Sequence, residues 1–137
     1  MQGVIGALDL MKRRFATGRI ENFDRYMDMA MESAERAALD FDPRISNSEG
    51  AGFSSYSGRR VFANSLGFVG SYRLSSCGLS VSPVAKEGDS MERDYWYSAA
   101  RAFAKLESPE SVGRKAAERA LRRLNPRKPA TQKAPII

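Results

Sequence analysis

The sequence predicts an α+β fold in which an antiparallel β-meander of about five strands carries helices packed mainly on one face. Apolar and polar residues tend to alternate between residues 47 and 97, and clusters of Gly or Asn-Ser interrupt the alternation at intervals typical of hairpin turns. Helical spacing of apolar residues lies on both sides of this stretch. The 137 residues are enough for one ordinary domain.

Composition limits the chemistry that this chain can perform. It contains no histidine and one cysteine, which excludes histidine-based zinc sites and Ser-His or Cys-His nucleophile pairs within the chain. A lone Cys77 cannot form an internal disulfide, so we expect a reducing, cytoplasmic setting. No window approaches the roughly 20 apolar residues of a membrane span. The net charge of +6 favours acidic partners, nucleic acid among them.

Residues 1–21 contain three glycines and no sustained period, and we interpret them as a leader or connector. Residues 22–125 are predicted to form a central α/β domain. Its first helix, residues 22–41, is capped by Asn22 and stopped by Pro43. The predicted buried stripe of this helix consists of small and aromatic residues: Tyr26, Ala30, Ala34, Ala37, Ala38 and Phe41. This alanine-rich face suggests close packing on the sheet.

Three methionines in this helix, Met27, Met29 and Met31, allow two interpretations. They could form a surface that binds a soft metal ion or a flexible peptide, or they could fill gaps in the core. Filling of the core is the favoured interpretation.

The strands of the meander are delimited by turn residues. Turns are predicted at residues 57–58, 64–67 and 87–89. The predicted strands are residues 51–56, 59–63, 68–76 and 79–86, and a last strand that runs through Tyr95. Because side chains alternate along each strand, one face of the sheet should be buried and the other wet.

Two places in the meander contain residues that could be interpreted as a metal-binding or catalytic site. Glu92 and Asp94 are two residues apart, so in a strand both carboxylates would project from one face, as a divalent cation or an acid-base pair requires. A solvated face is the favoured interpretation, because Arg93 lies between them and no third ligand is near. Cys77 lacks a histidine partner and is expected to be a small buried residue. The sequence therefore predicts no catalytic, cofactor-binding or metal-ligating residue.

Two helices are predicted after the meander, a short one over residues 98–106 and a longer one that starts at Ser108-Pro109-Glu110 and continues to about Leu124. The expected buried stripe of the longer helix is Val112, Ala116, Ala120, Leu121 and Leu124. Its expected basic side is Arg114, Lys115, Arg119, Arg122 and Arg123. A basic helix can bind phosphates, so a nucleic-acid-binding module is the alternative function; the absence of interleaved aromatic residues argues against it.

Four segments carry a resemblance to a known family. They are NSEGA at 47–51, MERDYWY at 91–97, SPESVG at 108–113, and LNPRK at 124–128 followed by KAPI at 133–136. They resemble the middle of the TldD/PmbA peptidase family, closer to its PmbA (TldE) branch. Four segments in the right order over most of the chain make a chance match improbable.

The resemblance implies a cytoplasmic, heterodimeric metallopeptidase acting on peptides or unfolded proteins, a family also described as a modulator of DNA gyrase. Zinc is then expected only in the TldD-type partner subunit, which carries a paired-histidine motif, and the present chain would be a non-catalytic segment of the other subunit. Residues 126–137 would be a linker towards a C-terminal domain. Nucleic acid is the less favoured partner and a membrane is not expected.

Overall fold

The computed structural model describes residues 23–133, which form two helices on one face of an antiparallel sheet. Helix α1 spans Phe23–Leu39 and helix α2 spans Pro109–Arg122. The strands are β1 (Ile45–Ala63), β2 (Val69–Glu87), β3 (Ser90–Arg93) and β4 (Trp96–Ala100), and a short 3₁₀ turn covers Phe103–Lys105. This architecture confirms the predicted α+β class.

Strand β2 organises the sheet because it pairs with all the other strands. Along one edge it meets β1 over its whole length, from Ala63↔Val69 to Ile45↔Ala85. Along the other edge its last residues pair with β3, and Cys77 to Val81 pair with β4. The pairing of β1 shifts register between Ile45 and Asn47 and again before Ala51, so the base of this strand is bulged.

The strand count was predicted wrongly. The described residues form four strands, since the predicted first and second strands are one strand and the predicted third and fourth strands are another. Gly58 pairs with Leu74 inside the ladder, and Cys77-Gly78 continue β2 without a turn. Gly in a strand can mark a close approach as well as a turn, and here the Tyr56 hydroxyl lies over Gly58.

Two of the predicted turns are confirmed. The Asn64 side chain accepts hydrogen bonds from the Leu66 and Phe68 amides, both at 3.1 Å, and Gly67 takes a φ of +85°. Gly88, with a φ of +59°, connects β2 to β3. The strand predicted to run through Tyr95 is interrupted after Arg93 and resumes as β4.

The short helix predicted over residues 98–106 is wrong. Its first residues belong to β4, and only the 3₁₀ turn follows. Ser98 is buried in β4 and its hydroxyl accepts a hydrogen bond from the Glu107 amide at 2.9 Å. Pairing with β2 therefore outweighs the helical preference of the alanines here.

Helix α1 confirms the predicted amphipathic pattern, with Tyr26, Ala30, Ala34 and Ala38 fully buried. Ala37 is half-buried and Phe41, after the end of the helix, is 44% exposed. The alanine face packs against α2 as well as against the sheet. Residues 1–22, with the predicted Asn22 cap, and residues 134–137 lie outside the described part of the chain.

The two helices meet at Gly113. A Cβ at this position would lie 2.1 Å from the Ala34 carbonyl oxygen and 3.0 Å from the Ala37 Cβ. Only a residue without a side chain lets the helix backbones come this close. The sequence analysis expected α1 to lie against the sheet, and this helix-helix contact was not foreseen.

Helix α2 begins as predicted. Ser108 is the N-cap and its hydroxyl accepts from the Ser111 amide at 3.2 Å, with Pro109 in the first turn. Val112, Ala116 and Ala120 are fully buried, whereas Leu121 and Leu124 are half-buried.

The core lies between the helices and the sheet. Tyr26, Leu79, Val81 and Val112 are its large, fully buried side chains. The Phe53 ring stacks on Phe103 with centroids 5.8 Å apart and meets Tyr26 edge-on at 6.0 Å. Met29 and Met31 pack against this cluster, which supports the core-filling interpretation of the methionines.

Candidate functional site

The face of the sheet opposite the helices carries a shallow groove. Its floor consists of small residues on adjacent strands: Gly52, Ser54, Gly78, Ser80 and Ala99. Its side consists of two tyrosines, Tyr95 just before β4 and Tyr97 within it. The volume of the groove is about 470 Å³. The two tyrosine rings stack with centroids 6.4 Å apart. Small residues beside exposed rings form a concave, mainly apolar surface of the kind that takes another side chain.

A row of aromatic rings extends this groove along the strands. Pairing of Phe53 with Leu79 in the core fixes which residues point the other way, since side chains alternate. We call the outward-facing rings the aromatic face: Tyr56, Phe62, Phe68, Tyr72, Tyr95 and Tyr97. Each of them is between 55% and 61% exposed.

The aromatic face is held in place by contacts between its own members and two glycines. The Phe62 and Phe68 rings lie 5.9 Å apart, and the Phe68 ring covers Gly70. A ring lying over a strand glycine shields the backbone there and compensates for the missing side chain. The rings are therefore partly ordered on a surface that remains open.

The prediction that one face would be buried holds only at the base of the sheet. Leu79 and Val81 are buried beneath the helices, but Val61 and Val69, on the same side of the sheet further out, are 59% and 71% exposed. Beyond β4 the hairpin extends past the helical layer, so neither of its faces is covered within residues 23–133.

The carboxylates of Glu92 and Asp94 form ion pairs with arginines of α2. Asp94 Oδ2 lies 3.2 Å from Arg119 and 3.8 Å from Arg123, and Glu92 Oε2 lies 3.6 Å from Arg123. The pairs connect the β3–β4 edge to α2. Among residues 23–133, no group of three or more Cys, Asp and Glu side chains is placed to hold a metal ion.

Cys77 is a buried thiol, as predicted. Its Sγ donates to the Ala100 carbonyl oxygen at 3.3 Å. Burial raises the pKa of the Cys77 thiol, so the nucleophilic thiolate is disfavoured.

Most of the basic side of α2 is paired with carboxylates. Lys115 binds Glu107 at 2.8 Å, Arg122 binds Glu118, and Arg119 and Arg123 bind the acidic pair of the sheet edge. The Lys115 contact and hydrogen bonds from Ser111 and Trp96 lower the pKa of Glu107. Lys115 and Arg119 also lie over the Trp96 ring, at 5.3 and 5.6 Å from its centroid. Much of the positive charge on which the nucleic-acid interpretation depends is therefore paired with carboxylates of the same chain.

Sequence reasoning missed the aromatic face. It expected one buried face and one wet face along the whole sheet, and it did not distinguish the two halves of the hairpin. One sequence feature could have indicated an exposed surface: residues 50–86 include no Asp or Glu, yet they carry Arg59, Arg60 and Arg73.

A sequence model described as the PmbA/TldA metallopeptidase central domain matches residues 21–124. The chain belongs to this family. Two of the four segments that resemble the family lie where the sheet is irregular. Residues 47–51 form the bulged base of β1, and residues 91–97 span the break between β3 and β4. These two segments thus coincide with irregular backbone geometry of the sheet.

Named relatives support the same assignment. The chain is 48% identical over 104 residues to the metalloprotease PmbA of Escherichia coli O157:H7, covering 76% of this chain and 23% of the relative. It is 43% identical over 114 residues to a metalloprotease PmbA homolog of Haemophilus influenzae, covering 83% of this chain and 25% of that protein. The chain therefore spans about a quarter of the length of these curated relatives.

A solved structure shares the fold. It is a protein of Thermotoga maritima described as a candidate modulator of a DNA gyrase, with a TM-score of 0.65 at 22% identity, covering 71% of this chain and 22% of that one. In the part of the chain that the structure describes, neither helix has the length and apolar character needed to cross a membrane.

Proposed function

We propose that this chain is a non-catalytic segment of a PmbA/TldE-type subunit, which acts with a zinc-bearing TldD-type subunit as a cytoplasmic, heterodimeric metallopeptidase on peptides or unfolded proteins. Membership of the metallopeptidase family supports the class of activity. The observation that carries the proposed role is the open face of the sheet, where a groove and a row of exposed rings offer a surface for a polypeptide.

The helical layer supports the groove end of this face. Both helices pack on the opposite side, and the core residues Leu79 and Val81 lie directly behind the strands that carry the groove. A surface supported by a packed core loses little conformational freedom on binding, so less of the gain from burying apolar area is spent on ordering. The chain would contribute position and contact area, and the metal would activate the attacking water in the partner.

Among residues 23–133, no set of side chains is arranged to hold zinc. Zinc ligands are thiolates, neutral imidazoles or carboxylates, and binding requires them to be deprotonated and free to coordinate. The chain has no histidine, its one thiol is buried with a raised pKa, and Asp94 faces two arginines. We therefore assign no step of hydrolysis to these residues.

A chimera tests the proposal. This chain would replace the matching segment of the Haemophilus influenzae relative, and the chimera would be purified with and without a TldD-type subunit. We expect cleavage of an unstructured peptide by the mixture, abolished by a metal chelator, and no cleavage by this chain alone.

Two controls make the result decisive. The unaltered relative, mixed with the same partner, shows that the assay works, and the partner alone gives the background. Cleavage by the isolated chain that resists a chelator and persists through further purification would overturn the proposal. So would a chimera that is folded but gives no activity above the partner's background.

A further inference from the structure

The outer half of the β1–β2 hairpin is an arm that the rest of the described chain leaves uncovered. We define the arm as residues 56–76; its strands pair only with each other, since β4 reaches no further along β2 than Cys77. A two-stranded ribbon alone is marginally stable in water. Large apolar side chains near its tip are nonetheless exposed, among them Val61, Leu66 and Val69.

The charge of the arm is one-sided. It carries Arg59, Arg60 and Arg73 and no acidic residue, and the acid-free stretch extends from Gly50 to Lys86. Arg59 and Arg73 are directly opposite each other in the ladder. Like charges at such positions repel and destabilise a hairpin. The arm itself supplies no carboxylate to its arginines.

Arg60 is the arginine of the arm that lies on the same side of the ribbon as the rings. This residue pairs with Tyr72 and therefore lies on the aromatic face, between the groove and the Phe62–Phe68 pair at the tip. Apolar rings with a cation among them match an extended ligand whose sheet-facing side chains, every second residue, are apolar with a carboxylate among them. The floor of small residues leaves room for an extended backbone.

We propose that the aromatic face binds an extended polypeptide segment whose sheet-facing side chains are apolar with an acidic residue among them, and that Arg60 selects for this acidic residue. This inference rests on the proposed role in a peptidase and names the class of polypeptide that the open face accepts. The apolar side chains of the ligand that face the sheet would lie in the groove and between the rings, and the acidic one would lie beside Arg60.

Two other occupants fit the same surface less well. A second copy docked through the same face would bring a second Arg60 and no acidic residue of the arm, so this contact has no charge complementarity. A nucleic acid needs several cations along its backbone, but Arg59 and Arg73 lie on the other side of the ribbon from the rings, which leaves Arg60 alone among them.

Fluorescence anisotropy on the whole chain provides the test. The probe is a labelled peptide of about 12 residues, roughly 40 Å when extended, in which Ser alternates with Leu and one central Leu is replaced by Glu, so that Glu and Leu project from the same face. A matched peptide has Lys in place of Glu. We expect the Glu peptide to bind at least about tenfold more tightly at low salt, with the difference shrinking as salt screens the charges.

Variants locate the binding site. Arg60→Glu should weaken binding of the Glu peptide about tenfold, and the Phe62→Ser, Tyr72→Ser double variant should weaken both peptides. The matched control is Arg114→Glu, the same charge reversal at an exposed position of α2, which should leave binding unchanged. All changes are at exposed positions, and urea unfolding confirms that each variant is folded.

Several results would overturn the inference. These are equal binding of the Glu and Lys peptides, equal effects of Arg60→Glu and Arg114→Glu, tighter binding of an oligothymidine of similar length, or dimerisation of the chain that the Phe62, Tyr72 variant abolishes. Because the assay measures binding without the partner or cleavage, the inference can fail while the chimera is active. Conversely, peptide binding with an inactive chimera would reject the proposed function and keep the face as a binding site.

Discussion

Replacing Gly113 with alanine should destabilise the fold by forcing the two helices apart. The new Cβ would lie 2.1 Å from the Ala34 carbonyl oxygen, where carbon and oxygen normally approach to roughly 3.3 Å. The obstructing atoms include backbone, also the Ala38 nitrogen at 3.0 Å, and these cannot rotate away. The helices must therefore separate by about 1 Å, which loosens a contact between fully buried alanines.

The size of the effect follows from two opposing contributions. Alanine in a helix is favoured over glycine by about 1 kcal/mol. Overpacking of a core costs about 1–3 kcal/mol, and a clash with backbone belongs at the upper end of that range. We expect the free energy of unfolding to fall by about 2 kcal/mol, which lowers the urea midpoint by about 1 M or more.

Urea unfolding followed by circular dichroism measures this change. Gly52→Ala is the matched control, because its Cβ would lie 3.5 Å from the Ser80 hydroxyl in ordinary contact, and we expect a change within about 0.5 kcal/mol. A Gly113→Ala variant as stable as the unaltered chain, or more stable, would refute the close contact of the helices at this residue.

Three further changes test other parts of the structure. Burial, followed by the charges of Cys77 and Glu110, raises the pKa of Tyr26 to about 12 from 10.0. Because the fold favours the neutral phenol, the stabilisation from this side chain is complete below pH 10 and is lost as pH rises towards 12. The Tyr26→Phe variant should remove this loss from urea-unfolding curves. Asp94→Asn should cost about 1 kcal/mol at low salt and less at high salt, whereas Glu118→Gln, in a more exposed pair, should cost under about 0.5 kcal/mol; equal costs would contradict the linking role of Asp94. Ser108→Ala removes the cap of α2 and should lower the free energy of unfolding by about 1 kcal/mol, while Ser108→Thr should lose less in the same measurement.

Local sequence patterns predicted the two long helices well because each is specified by its own residues. The three- and four-residue spacing from Tyr26 to Ala38 and the Ser108-Pro109 start depend on contacts within one turn or one face. The turn at Asn64 is equally local, because its side chain binds amides two and four residues ahead.

The sheet was harder to predict because its strands depend on distant partners. Gly58 resembles a turn residue until Leu74 is placed opposite it, and Ser98 to Ala100 resemble the start of a helix until β2 offers a free edge. Whether Val69 is buried or exposed depends on where the helical layer ends, which no short stretch of sequence encodes. The family resemblance was confirmed, while the heterodimer and the zinc-bearing partner stay predictions.

The single long strand β2 also implies an uneven resistance to hydrogen exchange. Its inner half, around Leu79 and Val81, is hydrogen-bonded on two edges and buried under both helices, so amides there should exchange only when the whole domain unfolds. Its outer half, around Ser71 and Tyr72, has one paired neighbour and no cover, and should exchange through opening of the hairpin tip alone. One continuous strand would thus belong to two cooperative units, and the boundary between them would fall near Cys77, where β4 ends.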